Sequence, residues 1–248
     1  MTRPYQVLAS YYRRVMEHVD YKDWADFLKS ILRLHLRKPK SLLELGAGDG
    51  ELSKYFRLPS LTLRVTTDIS PEMISAANPG NAGHRAVVNA SQLPFSKPFD
   101  LILMTYDAIN YLSKKQIDSL FAESRRLLTG DGVFIFDATT ELNSRLYFEE
   151  EDFAEEWGDV YMVRRSRYDS RKKKQRNHFD FFIRHENGAY SRKTEDHEQT
   201  VYPHEFFLKA GERHGLELLG AYADFTLNSD VTEALRVHYI FTKKRMLS

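Results

Sequence analysis

Ser41-Leu42-Leu43-Glu44-Leu45-Gly46-Ala47-Gly48-Asp49-Gly50 is a short apolar run that enters a glycine-dense turn, and Glu51 to Arg57 reads as a helix behind it. The layout is strand, tight loop, helix. Glycine lets the backbone turn sharply and lets a ligand approach the main chain closely. The start of a helix adds free N–H donors and a partial positive charge. Such a loop suits a nucleotide-type ligand. A dinucleotide fingerprint, G-x-G-x-x-G, places a glycine at position 51. Glu51 stands there, and the stretch reads E-x-G-x-G-x-G instead.

Outward from this loop, strands alternate with helices. Leu61–Thr67 reads as a second strand with Asp68 at its end, and Ser70-Pro71-Glu72 opens a helix through Ala77. Ser70 is a good N-cap and proline suits the first helical position. Ala86–Val88 is a short third strand and Phe99–Thr105 a strongly apolar fourth, followed by a helix from about Lys114 to Leu128. Gly130-Asp131-Gly132 turns the chain into a fifth strand, Val133–Phe136, and Leu216–Phe225 and Val237–Lys243 read as the last two. This alternation predicts an α/β fold with a mostly parallel sheet covered on both faces. Ligands of such sheets bind beyond the carboxyl ends of the strands.

Two regions depart from the rhythm. Residues 5–36 carry apolar residues at helical spacing and read as two helices. Residues 149–201 begin with an acidic stretch and continue as three strands, Tyr161–Tyr168, His178–His185 and Tyr190–Tyr202, with the turn signal Asn187-Gly188 between the last two. The expected organisation is a helical cap over residues 1–38, an α/β core over 39–148 and 202–248, and an antiparallel insertion over 149–201 that forms a lid.

Composition limits the function classes. Of 248 residues, 42% are hydrophobic and 29% charged, which predicts a packed core. The net charge of +1 gives no overall attraction to nucleic acid or anionic membrane. With no cysteine there are no disulfides, thiolate nucleophiles or cysteine-bound metals, which fits a cytoplasmic protein. The first residues lack the basic-then-apolar layout of a signal peptide, and no run reaches the length of a membrane span.

Asp68 lies 18 residues beyond Gly50, at the end of the second strand. An acid there accepts hydrogen bonds from both ribose hydroxyls. At this point LLELGAGDG, TDIS, NASQLPF, FDLILMTYDAINYL and LLTGDGVFIFD, spread over about residues 38–140, resemble the class I S-adenosylmethionine-dependent methyltransferases. The resemblance implies a Rossmann-like, seven-stranded sheet. It implies that the loop, through Glu44, Gly46, Ala47 and Gly48, meets the methionine and ribose of the cofactor, and that Asp68 holds the ribose. It further implies that Ile69 packs on the adenine and that Asn89, Ala90 and Ser91 flank it. Asn89 stands where many members carry an acid, so its amide oxygen is the expected partner of the adenine amino group.

The leader Val7-Leu8-Ala9-Ser10-Tyr11-Tyr12, the run Asp107-Ala108-Ile109-Asn110-Tyr111-Leu112 and the inserted Glu195-Asp196-His197-Glu198-Gln199 look like a subgroup of small bacterial methyltransferases. The layout is similar to that of aminosugar N-methyltransferases. Arg13 departs from it, standing where the subgroup often has an aspartate.

Transfer from a sulfonium needs in-line placement of the nucleophile, and proximity carries much of the rate. Aromatic faces stabilise a sulfonium. Tyr12, Tyr21 and Tyr106 are the candidates, with core or lid packing as their other reading. Where an acceptor must lose a proton, His197 on the lid is the candidate base. Asp107, Asn110 and Tyr111 follow the fourth strand and are expected at the acceptor. No metal is expected, although Asp107, Asp137 and Asn110 could imitate a ligand set. The run Arg171-Lys172-Lys173-Lys174-Gln175-Arg176 holds five positive charges and reads as a hairpin tip, partly neutralised by the preceding acids. The expected reaction is methyl transfer from S-adenosylmethionine to nitrogen or oxygen of a small molecule, leaving S-adenosylhomocysteine. RNA methylation with the basic run on phosphates and a non-catalytic cofactor sensor or scaffold are the alternatives.

Overall fold

In the computed structural model, residues 4–77 and 83–244 are described. Seven strands build the main sheet: β1 (Ser41–Leu45), β2 (Leu63–Asp68), β3 (His84–Val87), β4 (Phe99–Met104), β5 (Leu128–Thr139), β10 (Leu216–Ala223) and β11 (Arg236–Lys243). Their order is β10-β11-β5-β4-β1-β2-β3. All neighbours run parallel except those of β11, which is antiparallel to β5 and to β10. The order reverses between β1 and β4, and the loops after these two strands open a crevice there.

Strand alternation sorts the core into two layers. Leu43, Leu45, Ile102, Met104, Phe134 and Phe136 face helices α5 (Lys114–Leu127) and α7 (His204–Arg213), meeting Ile117, Leu120, Phe121 and Phe207. Leu42, Leu101, Leu103, Val133 and Ile135 face the other way, onto Trp24, Phe27, Leu28 and Ile31 of α2 (Tyr21–Leu34) and Leu52 of α3 (Glu51–Tyr55). Capping fixes where helices begin: Ser70 accepts from the amide of Met73 ahead of α4 (Pro71–Ala76), and Ser113 with Gln116 forms a capping box on α5.

The insertion is a four-stranded antiparallel sheet, β6 (Glu150–Trp157), β7 (Val160–Asp169), β8 (Lys174–Arg184) and β9 (Tyr190–Thr200). The acidic stretch is thus an edge strand rather than a lead-in. Glu151 pairs with Arg164 at 2.7 Å and Asp152 with Arg167 at 2.8 Å across the β6–β7 ladder. Charges on an exposed edge also discourage pairing with another chain. The basic run is only partly a tip, since Lys174 and Arg176 lie in β8. Its partners lie outside the acidic stretch 149–156: Lys172 reaches Asp169 at 3.4 Å. Lys173 reaches Glu141 of helix α6 (Glu141–Phe148) at 2.6 Å, and Lys174 and Arg176 both reach Glu198 on β9, at 2.8 and 2.7 Å.

Residues 5–36 contain one full helix, not two. The first segment holds a 3-10 turn at Leu8–Ser10 and a single helical turn, α1 (Tyr12–Val15). So short a helix has no stability of its own. Leu8 instead buries against Met162, Phe179 and Phe181 of the insertion, and Tyr11 stacks on Phe181 at 4.9 Å. The segment is a strap bound to the lid.

Candidate nucleotide cleft

The loop after β1 takes left-handed conformations at Gly46 (φ 62°) and Gly48 (φ 58°), which side chains strain. Space is short as well. A Cβ at Gly46 would meet Ala108 Cβ at 3.0 Å, and one at Gly48 would meet Met73 Cε at 3.2 Å and the Tyr12 ring at 3.7 Å. Asp68, buried at the end of β2, accepts from the amide of Gly48 through Oδ2 and from that of Ser70 through Oδ1, each at 2.9 Å. Burial raises its carboxyl above the usual range, and these two amides oppose the rise. Ile69 beside it is 64% exposed, an apolar side chain left at the surface next to a buried acid.

Glu44 is buried beneath the loop, accepts from the Ser53 hydroxyl and lies 3.8 Å from Arg64. Burial raises its carboxyl too, against the pull of Ser53 and Arg64. A cavity in front of the loop is lined by Tyr12, Tyr21, Trp24, Glu44, Gly46 and Tyr106, among others. Burial pushes the phenols of Tyr12, Tyr21 and Tyr106 upward, so they stay protonated near neutrality. Across the neighbouring loop, Asn89 differs from its expected geometry. Its oxygen already accepts from the Ser91 amide at 3.0 Å and the Ser91 hydroxyl at 2.8 Å, both lone pairs of an amide carbonyl.

Beyond β4, Tyr106 (φ 65°) and Asp107 (φ 47°) are left-handed without being glycine. Buried Asp137 holds them, accepting from the two amides at 2.7 and 2.9 Å. Arg236 bridges Asp137 and Asp107, reaching the latter at 2.7 Å. Its guanidinium lies over Trp24 and Tyr106, 5.2 and 5.5 Å from the ring centroids, and Trp24 stacks on Tyr106 at 4.9 Å. A guanidinium therefore stands between Asp107 and Asp137, two of the three residues that imitate a metal-ligand set in the sequence. Burial raises Asp107, which Arg236 counters; the two carboxylates outweigh burial to hold Arg236 protonated. Asn110 is fully buried, donates to Thr200 O at 2.8 Å and accepts from Thr139 N at 3.1 Å. Its amide is spent on backbone, stapling β5 to the end of the lid.

His197 is 2% exposed on β9. Its Nε2 lies 2.6 Å from Glu195 and its Nδ1 3.0 Å from the Tyr111 hydroxyl, which in turn accepts from the Tyr5 hydroxyl at 3.2 Å. Gln199, also buried, donates to Asp107. Tyr111 and His197 thus meet at one point, and Asp107 joins the same wall through Gln199. Asp68, Gly46 and Gly48 gather with Tyr12, Tyr21 and Tyr106 at another.

Several members of these networks are not candidates from sequence reasoning alone: Tyr5, Arg13, Trp24, Glu195, Gln199 and Arg236. Arg13 pairs with Asp49 of the glycine loop at 2.8 Å, a cross-link made by the residue that departs from the resembled pattern. For Glu195, His197 and Gln199 a signal was present: buried polar residues at every second position of a strand share one face.

Residues 42–132 match the family described as "Methyltransferase domain". Over 251 residues the chain is 27% identical to the protein named "Putative methyltransferase YqeM" of Bacillus subtilis (strain 168), with 98% of each covered. It superposes on an S-adenosylmethionine-dependent methyltransferase from Clostridium acetobutylicum ATCC 824 with a TM-score of 0.81 at 24% identity, covering 95% of this chain and 97% of the other. The sugar N-methyltransferase KedS8 from Streptoalloteichus sp ATCC 53650 has the same fold, with a TM-score of 0.77 at 18% identity over 97% and 94% of the two chains.

Proposed function

We propose that this chain is a class I S-adenosylmethionine-dependent methyltransferase that carries out in-line methyl transfer to a nitrogen or oxygen of a small molecule; the methyltransferase-domain match and the shared fold support the reading. One observation carries the reading: the Asp68–Gly48 clamp adjoins a tyrosine-walled cavity to which the strap contributes Tyr12, and the strap is itself packed on the lid. An ionised carboxylate has about four acceptor sites. The Gly48 and Ser70 amides use two and the Ile69 amide bears on a third, which leaves capacity for a ligand hydroxyl. The cofactor supplies an electrophilic methyl group on a sulfonium. Gly46 and Gly48 admit the ligand to the main chain, with Glu44 and Ala47 supporting the loop. Ile69 offers an apolar face beside Asp68, with Asn89, Ala90 and Ser91 on the next loop. Tyr12, Tyr21 and Tyr106 line the sulfonium end with protonated phenols. Their faces attract a cation. For an acceptor that sheds a proton, His197 Nδ1 is the sink, reached through the Tyr111 hydroxyl.

The enclosure also bears on the acceptor. A cavity walled by Tyr12, Tyr21, Trp24 and Tyr106 suits a small acceptor, and the named KedS8 is a sugar N-methyltransferase. A grip on RNA would draw on the basic run, yet Lys173, Lys174 and Arg176 are paired with Glu141 and Glu198. No helix among the described residues is long and apolar enough to cross a membrane; a cytoplasmic site of action accords with the absence of cysteine. The test is calorimetry with S-adenosylmethionine and S-adenosylhomocysteine, then transfer of labelled methyl to panels of small amines, alcohols and carboxylates and to bulk tRNA and rRNA. Label on a small molecule supports the proposal. Label on RNA alone, or tight cofactor binding with no transfer to any panel, overturns it.

A further inference from the structure

We infer that Glu195 makes closure of the N-terminal strap and orientation of His197 a single event, so that the base is in place only when the cleft is covered. This rests on the reading of the cleft as a methyltransferase site. Glu195 is fully buried, and one carboxylate accepts four hydrogen bonds. Three come from strap amides: Tyr5 at 2.5 Å, Val7 at 2.5 Å and Leu8 at 3.1 Å. The fourth comes from His197 Nε2 at 2.6 Å. Burial alone would raise this carboxyl; the His197 ring and the amides of Val7 and Leu8 outweigh it and hold it ionised.

The tautomer of neutral His197 follows. An ionised carboxylate only accepts, so the single proton of a neutral imidazole sits on Nε2 and leaves Nδ1 as an acceptor. Nδ1 then accepts from Tyr111, and Tyr111 accepts from Tyr5. Every hydroxyl in the line donates towards the imidazole. Tyr5 belongs to both ends: its amide binds Glu195, its hydroxyl binds Tyr111, and its ring meets His197 edge-on at 4.8 Å. When the strap lifts, Glu195 loses three of its four donors. A buried carboxylate left so exposed to unpaired charge does not persist; it draws in water or a proton, and the Nε2–H tautomer loses its anchor. The strap that carries this latch also carries Tyr12, which packs at Gly48. Glu195 is therefore a positioning residue that touches neither cofactor nor acceptor.

The experiment uses the full chain, 15N-labelled at histidine, saturated with S-adenosylhomocysteine. The expected spectrum places the His197 proton on Nε2 in a short hydrogen bond, with the amides of Tyr5, Val7 and Leu8 protected from exchange. Glu195→Gln should accelerate their exchange at least about tenfold, the loss of a charge-assisted hydrogen bond, and turn His197 into a tautomer mixture. Val7→Pro removes one strap donor, leaves β9 untouched, and should alter the His197 signal in the same direction. A variant that releases the strap while His197 keeps its wild-type signal overturns the inference, as does a wild-type protein with the proton on Nδ1. If S-adenosylhomocysteine fails to bind the wild type, the reading of the cleft itself is lost.

Discussion

The carboxylate of Asp68 holds the amide of Gly48, Oδ2 to N at 2.9 Å, and so ties the end of β2 to the glycine loop that follows β1. The two strands run parallel and in register, Leu45 beside Thr67, so the acid and the loop emerge at the same edge of the sheet. The clamp shapes the loop before any ligand arrives. Asp68→Ala removes both the clamp and the acceptor proposed for ribose hydroxyls. A hydrogen bond to a charged group is worth about 1.5–3 kcal/mol, so affinity for S-adenosylhomocysteine should fall about 10–100-fold. Calorimetry giving an affinity within threefold of wild type would defeat the assignment.

Gly48→Ala acts on the same loop from the other side. The residue is left-handed and a methyl group would press on Met73 and Tyr12. The substitution should weaken cofactor binding about tenfold or more while the core stays folded, since strain of about 1–3 kcal/mol falls on one loop. Calorimetry paired with a thermal melt separates the two effects; unchanged binding would mean that the loop relaxes freely.

Asp137 is the buried anchor of the β4 loop. It satisfies the amides of two left-handed residues and one face of Arg236. Replacing it with alanine leaves two amides without their acceptor and Arg236 with Asp107 as its one remaining carboxylate, at a cost of about 3–5 kcal/mol. For a chain of this length each kcal/mol shifts the midpoint by about 2–4 °C, so the melting temperature should drop by roughly 6–20 °C. Scanning calorimetry showing a shift under about 2 °C would remove the network from the account of stability.

The sheet was legible because its signals are local. Alternating apolar strands, Ser70-Pro71 and the glycine loop each carry their own conformational preference, and the observed strands follow them with ends displaced by a few residues. The strap was not legible as a strap. Leu8, Tyr11 and Tyr12 have helical spacing, yet their partners lie on strands some 150 residues further on, and that burial decides their conformation. The candidate site divides in the same way. Asp68 and the glycines sit at fixed offsets within one strand–loop–helix unit. Arg236 meets Asp107 and Asp137 only because β11 lies beside β5, a pairing that no short-range pattern encodes. Asn110 was visible as a polar residue in the right loop, but its two backbone partners come from the end of β5 and the end of the lid.

The basic run should be silent in nucleic-acid binding. Its charges at 173, 174 and 176 are paired with Glu141 and Glu198. Changing Lys174 and Arg176 to glutamine should alter stability by less than about 1 kcal/mol, as for exposed pairs, and leave cofactor affinity unchanged. Filter binding to bulk tRNA at low and moderate salt checks the charge argument; steeply salt-dependent binding that these substitutions abolish would reverse it.

His238 supplies a pH dependence whose direction is fixed. The ring is fully buried on β11, edge-on to Phe27 at 4.8 Å and beside Trp24 and Phe225 at 6.0 and 5.3 Å. Burial, with Arg236 nearby, pushes its pKa well below the ordinary histidine value. The unfolded chain titrates this group near pH ~6.5. Below that pH the unfolded state binds a proton that the folded state refuses, so stability falls as pH falls from ~6.5 towards the depressed folded value. Above ~6.5 the group contributes its full stabilisation. The slope from one such site is at most about 1.4 kcal/mol per pH unit. Denaturant unfolding at pH ~6.5 and ~5 should therefore show a stability loss that is smaller in His238→Phe by about 1–2 kcal/mol. Phenylalanine suits the aromatic surroundings and keeps the volume, so the comparison isolates the proton. Equal losses in the two proteins would mean that His238 takes up its proton while folded, against its burial.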